Sequence, residues 1–423
     1  MKLIRNARVI SPADGLDAVK DIEIGDDGRI TAIEDPGILS CESREVIEAE
    51  NLVAAPGFVD VHVHFRDPGQ TYKEDITTGA AAAAAGGYTT VVCMANTVPP
   101  VDCVEVFREL REREEKLPVH VLQTANVTMK MQGKELTDMD ALYEAGAAGF
   151  TDDGIPVSDE KVMQAALKKC KELNVPISLH EEDPALMKSP GVNEGKVSKA
   201  LGLGGAPAEA EYVLAARDIL LNKEIGAKLD IQHISSKVTV EVIREAKKHG
   251  ISVYGEVTPQ HLYATEDLVL EQGSLARVNP PLRTEEDRRA LIAGLADGTL
   301  DMIVTDHAPH SREEKAREIA KAPSGMIGLE TALALVITSC VRPGFVSLNQ
   351  VIKALTINPA ELYGLDAGHL CPGVKADLVL FDPDEAWTIT DNFRSKSNNS
   401  PFIGKNVFGR VRMTICEGKI VYR

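Results

Sequence analysis

Histidines and aspartates recur in this chain where apolar segments end, and side chains of those types can hold a divalent cation for hydrolysis. The segment Phe58-Val59-Asp60-Val61-His62-Val63-His64 carries two imidazoles two residues apart. On a β-strand alternate side chains share a face, so His62 and His64 project together. Other apolar runs close on Asp152-Asp153, on His180, on His233 and on Asp306-His307. Neutral imidazoles and carboxylates suit zinc and similar ions, whose Lewis acidity lowers the pKa of a bound water to about 7. A single histidine at a strand end is more often structural than a ligand. Four histidines with carboxylates, all at the ends of such runs, are far harder to assign to packing. Strand parity does not choose between Asp152 and Asp153, because neighbours face opposite sides.

Ligands so far apart in sequence need a scaffold that gathers strand ends. Eight apolar, β-branched segments read as strands: Phe58–His64, Tyr88–Met94, Val119–Thr124, Ala148–Asp153, Ile177–His180, Leu229–His233, Ser252–Val257 and Met302–Asp306. Helical stretches lie between them, including the alanine-rich Thr77–Ala85, Glu160–Leu173, Ala208–Leu221, Val238–His249 and Glu285–Ala296. Eight βα units fit a parallel (β/α)8 TIM-type barrel better than an open doubly wound sheet. No Gly-x-Gly-x-x-Gly follows any strand, which leaves a dinucleotide fold with little support. In such barrels chemistry sits where strands end, the place these ligand types occupy. Residues 1–54 and 366–423 have a different texture of short strands around turns such as Pro12–Gly15 and Asp26–Gly28. The two flanks are expected to pair into one small β-sandwich, leaving the barrel to residues 55–365.

The 423 residues are 44% apolar and 26% charged, the composition of a chain able to bury a sizeable core. A formal charge of −18 argues against nucleic acid or an anionic membrane as partner, since both require a basic surface. An acidic protein still binds an anionic substrate if its site concentrates positive charge, as a metal does. Seven scattered cysteines (Cys41, Cys93, Cys103, Cys170, Cys340, Cys371, Cys416) without Cys-x-x-Cys spacing read as reduced residues of a cytoplasmic protein. Met1–Ile10 has charges inside its apolar stretch and reads as a strand rather than a signal peptide, and no apolar run reaches the length of a membrane span.

Taken in order, His62-Val63-His64-Phe65-Arg66-Asp67-Pro68-Gly69, Met94-Ala95-Asn96-Thr97, Phe150-Thr151-Asp152-Asp153-Gly154, Asn279-Pro280-Pro281-Leu282-Arg283 and Thr305-Asp306-His307-Ala308-Pro309-His310 form a motif series. The series resembles that of the class I dihydroorotases of the amidohydrolase superfamily, from about residue 50 to the C-terminus. The resemblance implies one or two zinc ions, two favoured. His62 and His64 would hold the more buried ion and His180 and His233 the more exposed one. Asp153 would bridge them, and Asp306 would contact metal while serving as acid and base. It implies reversible cyclisation of N-carbamoyl-L-aspartate to dihydroorotate in pyrimidine biosynthesis. The substrate carboxylate would meet Arg66, which strand parity places on the face of His64, together with Asn96 and His310 as neutral or positive donors. Asn279 and backbone groups near Ser324 and Gly325 would contact the ring, and His64 would touch substrate as well as metal. His261 reads as structural, in a stretch where Gln260 departs from the family's paired histidines; His120, His249 and His369 lie away from the expected site. The resemblance also implies a homodimer and, in some relatives, association with aspartate transcarbamoylase.

Three rivals remain. Hydantoinases, allantoinases and some dihydroorotases bridge their metals with a carboxylated lysine near the end of strand four, but here no lysine occurs between Lys134 and Lys161. Non-catalytic scaffolds for aspartate transcarbamoylase lose metal ligands, whereas all six are present. A zinc-dependent deaminase shares the His-x-His and the late aspartate but leaves Arg66 unexplained.

Overall fold

The computed structural model describes residues 1–114 and 116–423, and its elements are of the α/β class. The N-terminal strands are β1 (Lys2–Ser11), β2 (Leu16–Ile24), β3 (Ile30–Glu34), β4 (Glu45–Glu48) and β5 (Val53–Pro56). The middle contributes β6 (Phe58–Val63), β7 (Tyr88–Cys93), β8 (His120–Gln123), β9 (Pro176–Leu179), β10 (Lys228–Ile231), β11 (Val253–Val257) and β12 (Met302–Ile303). The C-terminal strands are β13 (Leu378–Thr388), β14 (Asn406–Cys416) and β15 (Lys419–Tyr422).

The two ends of the chain share one eight-stranded sheet in the order β15-β14-β13-β5-β1-β2-β3, with β4 added on β1. The join is the antiparallel pair of β5 with β13, Val53 opposite Phe381 through Pro56 opposite Leu378. Ile4, Val9, Ile22, Leu378, Leu380 and Ile415, from strands of both ends, lie in one buried cluster.

The middle strands form two parallel sheets, β6-β7-β8 and β9-β10-β11-β12. Single parallel bridges connect their edges: Phe150 pairs with both Ala125 and Ile177, and His307 pairs with Val63. Backbone pairing therefore passes from β6 through every middle strand and returns to β6. Two expected strands are corrected. Ala148–Asp153 is no strand but a single bridging residue, Phe150. Beyond it the Asp152 carboxylate accepts the N–H groups of Val127 and Thr128, replacing ladder bonds with side-chain bonds. Met302–Asp306 is regular only over Met302–Ile303, because Thr305 N–H donates to the Asp60 carboxylate and Asp306 has a φ of 49°, outside any strand conformation.

The observed helices Ile76–Ala85, Glu160–Leu173, Glu209–Asn222, Lys237–Lys248 and Glu285–Asp297 lie within a residue or so of the expected spans. Their starts have local causes: Asp75, Asp159, Ser236 and Thr284 each accept backbone N–H groups of the first turn. The alanine-rich helix packs its small face against Phe65, immediately after His64, and a Cβ on Gly79 would stand 2.4 Å from that ring. No helix among the described residues is long and apolar enough to cross a membrane.

Candidate active site

His62 and His64 come from the end of β6, His180 from just past β9 and His233 from two residues past β10. Asp153 follows the Phe150 bridge, and Asp306 follows β12. All six side chains are buried and meet at the same ends of the parallel strands. His62 Nδ1 lies 2.9 Å from Glu256 Oε2, which leaves its Nε2 facing Asp153 Oδ1 at 3.7 Å and Asp306 Oδ1 at 3.6 Å. His64 Nδ1 donates to Asn96 Oδ1 (3.0 Å), while its Nε2 is 3.0 Å from Asp306 Oδ1 and 3.4 Å from Asp153 Oδ2. His180 Nδ1 and His233 Nε2 are 2.9 Å apart, at 3.6 and 3.7 Å from Asp153 Oδ1. Of the two neighbouring aspartates it is therefore Asp153 that stands among all four imidazoles. Asp152 is spent on Asn126, Val127 and Thr128.

These donors fit a metal. Two overlapping groups, His62–His64–Asp153 and Asp153–His180–His233, each offer ligand atoms within 4.8 Å of one another and share the carboxylate. Buried His62 Nε2, which faces Asp153 and Asp306, lacks any hydrogen-bond partner, as a ring nitrogen kept for a cation would. The electrostatics agree. Burial disfavours a charged His180, yet Asp153 and Glu182 outweigh it and hold its pKa at about 10. Burial likewise opposes an ionised Asp153, but hydrogen bonds from His180 and His233 and the charges of His62 and His64 hold it well below the usual carboxylate range. The cluster draws positive charge into itself, which a divalent ion supplies in concentrated form.

Above the ligands opens a cavity of about 170 Å³ lined by His64, Arg66, Asn96, Asp153, Gly154, His180, His233, Asn279, Asp306, Ala308, His310, Ser324 and Gly325. Every residue expected at the site borders it except His62, which lies beneath. Several details differ from expectation. Arg66 reaches the cavity, but not by strand parity: β6 stops at Val63, and Arg66 has a φ of 59°, with Nε donating to Pro309 O (3.3 Å). Of the neutral or positive donor expected at His310, it is the neutral form that burial and the nearby Arg66, Lys73 and Lys315 favour, by pushing its pKa far down. Its Nε2 donates to Ser324 O at 2.8 Å. Gly325 has no backbone group left for a substrate: its N–H donates to Arg277 O, and its carbonyl accepts from Lys315 and Asn399. Asn96 Nδ2 donates to Asp153 Oδ2 (2.9 Å), tying two expected ligands together. Asn279 Oδ1, by contrast, is buried without a partner at the cavity wall.

Gly325 instead sets the shape of the wall. With φ at 130°, an added Cβ would stand 2.8 Å from the Ala308 Cβ and 3.1 Å from His310 Nε2. Gly325→Ala is expected to stay folded by circular dichroism while losing about 100-fold in kcat/KM, the scale of a misplacement of about 1 Å. Half of the original activity in the variant would contradict that reading.

Sequence reasoning missed two residues in contact with the expected ligands. Glu256 touches His62 Nδ1 and also accepts the N–H of His233 (3.2 Å). Glu182 lies 3.2 Å from His180 Nε2. A glutamate inside the apolar run Val253-Tyr254-Gly255-Glu256-Val257 was the available signal for the first; nothing marked the second. His261, read as structural, has its Nδ1 on Thr258 Oγ1 (2.7 Å) and its Nε2 donating to Pro280 O (3.1 Å), and it does not border the cavity. His120, His249 and His369 do not border the cavity.

Solved structures similar to the whole chain include an L-hydantoinase (dihydropyrimidinase) from Arthrobacter aurescens, with a TM-score of 0.88 and 27% identity, covering 99% of this chain and 95% of that one. A dihydropyrimidinase from Brevibacillus agri follows at 0.86 and 26%, covering 100% and 95%. Residues 339–422 match the amidohydrolase family profile. Parallel strands whose ends gather histidines around shared aspartates, on this architecture, define a metal-dependent hydrolase of the amidohydrolase superfamily. Residues 51–239 match the dihydro-orotase-like profile. Dihydroorotases of Clostridium acetobutylicum and Clostridioides difficile are 51% and 52% identical over 100% of this chain, covering 99% and 100% of their own lengths. The chain belongs to the dihydroorotase family and is an enzyme acting on a cyclic amide.

Proposed function

We propose that the enzyme interconverts N-carbamoyl-L-aspartate and (S)-dihydroorotate in pyrimidine synthesis, with two zinc ions on His62, His64, Asp153, His180, His233 and Asp306. The observation that carries this reading is one carboxylate, Asp153, standing among four imidazoles beneath a cavity that also holds Arg66. Zinc bound there would polarise a carbonyl oxygen and acidify a water to a pKa of about 7. Asp306 borders the cavity and is held below the ordinary carboxylate range: burial opposes its charge, but His64 and the neighbouring imidazoles prevail. Ionised at neutral pH, it takes the proton of the attacking water in ring opening and passes it to the leaving ring nitrogen; in ring closure it accepts the ureido proton. Arg66 forks onto the substrate carboxylate, and the unpartnered Asn279 Oδ1 accepts a ring N–H. We read the closed circuit of parallel strands as a (β/α)8 barrel over residues 55–365, and the shared sheet of 1–54 and 366–423, folded over its own cluster, as a small sandwich. A homodimer, or association with aspartate transcarbamoylase, belongs to the same reading by family likeness.

The test is turnover of dihydroorotate against hydantoin and allantoin, with metal counted in the same sample. Dihydroorotate is expected to be preferred by at least about 100-fold, the discrimination a site built to pair a charged group achieves. Comparable rates on hydantoin would move the enzyme to the hydantoinases, against which the absence of a lysine between Lys134 and Lys161 already speaks. Arg66→Lys is expected to raise KM about tenfold with a smaller change in kcat, since an ammonium cannot reproduce the paired N–H contact. An unchanged KM would remove Arg66 from the binding site.

A further inference from the structure

A second cluster of metal-type donors lies at the other end of the parallel strands. His120 is the first residue of β8, Asp377 precedes β13, and Cys416 closes β14. Their ligand atoms fall within 4.8 Å of one another, with His120 Nε2 3.0 Å from Asp377 Oδ2. Cys416 is buried, and its thiol reaches Thr89 O only at 4.0 Å, at the limit of a sulfur contact. His120 and Cys416 both border a cavity of about 790 Å³ that reaches the surface. Sulfur, imidazole and carboxylate from three separate elements, with room beside them for a water, form the donor set of a borderline-soft divalent cation.

The alternative chemistry of such residues is nucleophilic, with histidine activating the thiol. Here burial first, and then the carboxylates of Asp377 and Glu417, disfavour a bare thiolate at Cys416. A cation reverses that balance, because thiolate and carboxylate together neutralise a divalent charge and binding releases the thiol proton. We propose that His120, Asp377 and Cys416 bind a divalent cation of the zinc and cobalt type, separate from the barrel-mouth site, pinning the C-terminal strands to the start of β8. Because the ion would bind only the folded arrangement, it would also stabilise that junction.

Cobalt(II) tests the assignment without relying on activity, since none of the six expected barrel ligands is a cysteine. Metal-stripped full-length protein titrated with cobalt should develop a near-ultraviolet thiolate-to-cobalt charge-transfer band. Cys416→Ser should lose that band and one bound cobalt per chain while retaining dihydroorotate turnover. His120→Asn, at a partly exposed position, keeps the thiol and should weaken the band's cobalt affinity at least about tenfold; it carries the test if the serine variant fails to fold. No band in the unmodified protein, or a band that survives in Cys416→Ser, overturns the proposal.

Discussion

Asp306→Asn is expected to lower kcat for dihydroorotate opening by about 10³- to 10⁴-fold while leaving bound metal near its original level. The size follows from the usual weight of a positioned acid–base group. The direction follows from position: Asp306 borders the cavity above the cluster, 3.0 Å from His64 Nε2 and 3.6 Å from His62 Nε2. An amide of nearly the same shape preserves the packing of the kink at Asp306 but cannot take up a proton. The five other proposed ligands, His62, His64, Asp153, His180 and His233, are untouched, so elemental analysis should change little. Single-turnover measurement on the purified variant, paired with that analysis, checks both halves. More than a tenth of the original kcat, or a metal content that collapses with activity, would defeat the assignment of Asp306 as the proton carrier.

Asp153→Ala is expected to remove metal as well as turnover. Its carboxylate is the only one shared by the two histidine-pair metal groups among the described residues. Deleting them leaves four imidazoles with no shared anion, and bound metal should fall to a small fraction of the original under equal dialysis. Turnover should fall at least about 10³-fold, roughly 4 kcal/mol of barrier. Asp152→Asn makes the contrast. The Asp152 carboxylate is engaged with backbone N–H groups of Val127 and Thr128, so that variant should lose stability while keeping metal once folded. If instead Asp152→Asn strips the metal and Asp153→Ala keeps it, the roles assigned to the two neighbours are exchanged.

Much of this architecture could be read from local pattern. Five helices start and stop within a residue or so of their expected limits, because periodicity and capping act within a few residues of chain. Six of the eight middle strands were likewise visible as regular segments. The two that failed, around Phe150 and after Ile303, are those whose ladder bonds give way to the Asp152 and Asp60 side chains. Propensity carries no trace of that exchange, since it depends on a carboxylate arriving from another element.

The residue types and spacings alone determined that several strand ends carry imidazole or carboxylate, that His62 and His64 point the same way, and that no lysine stands at the fourth strand position. Tertiary structure alone decided the rest: Asp153 over Asp152, Glu256 against His62 across 194 residues of chain, the turned-back Arg66, and a His310 already bound to Ser324. The physical reason is range. Alternation and capping are set by neighbours in sequence, whereas the partner of a buried charge is set by whichever distant strand packs beside it.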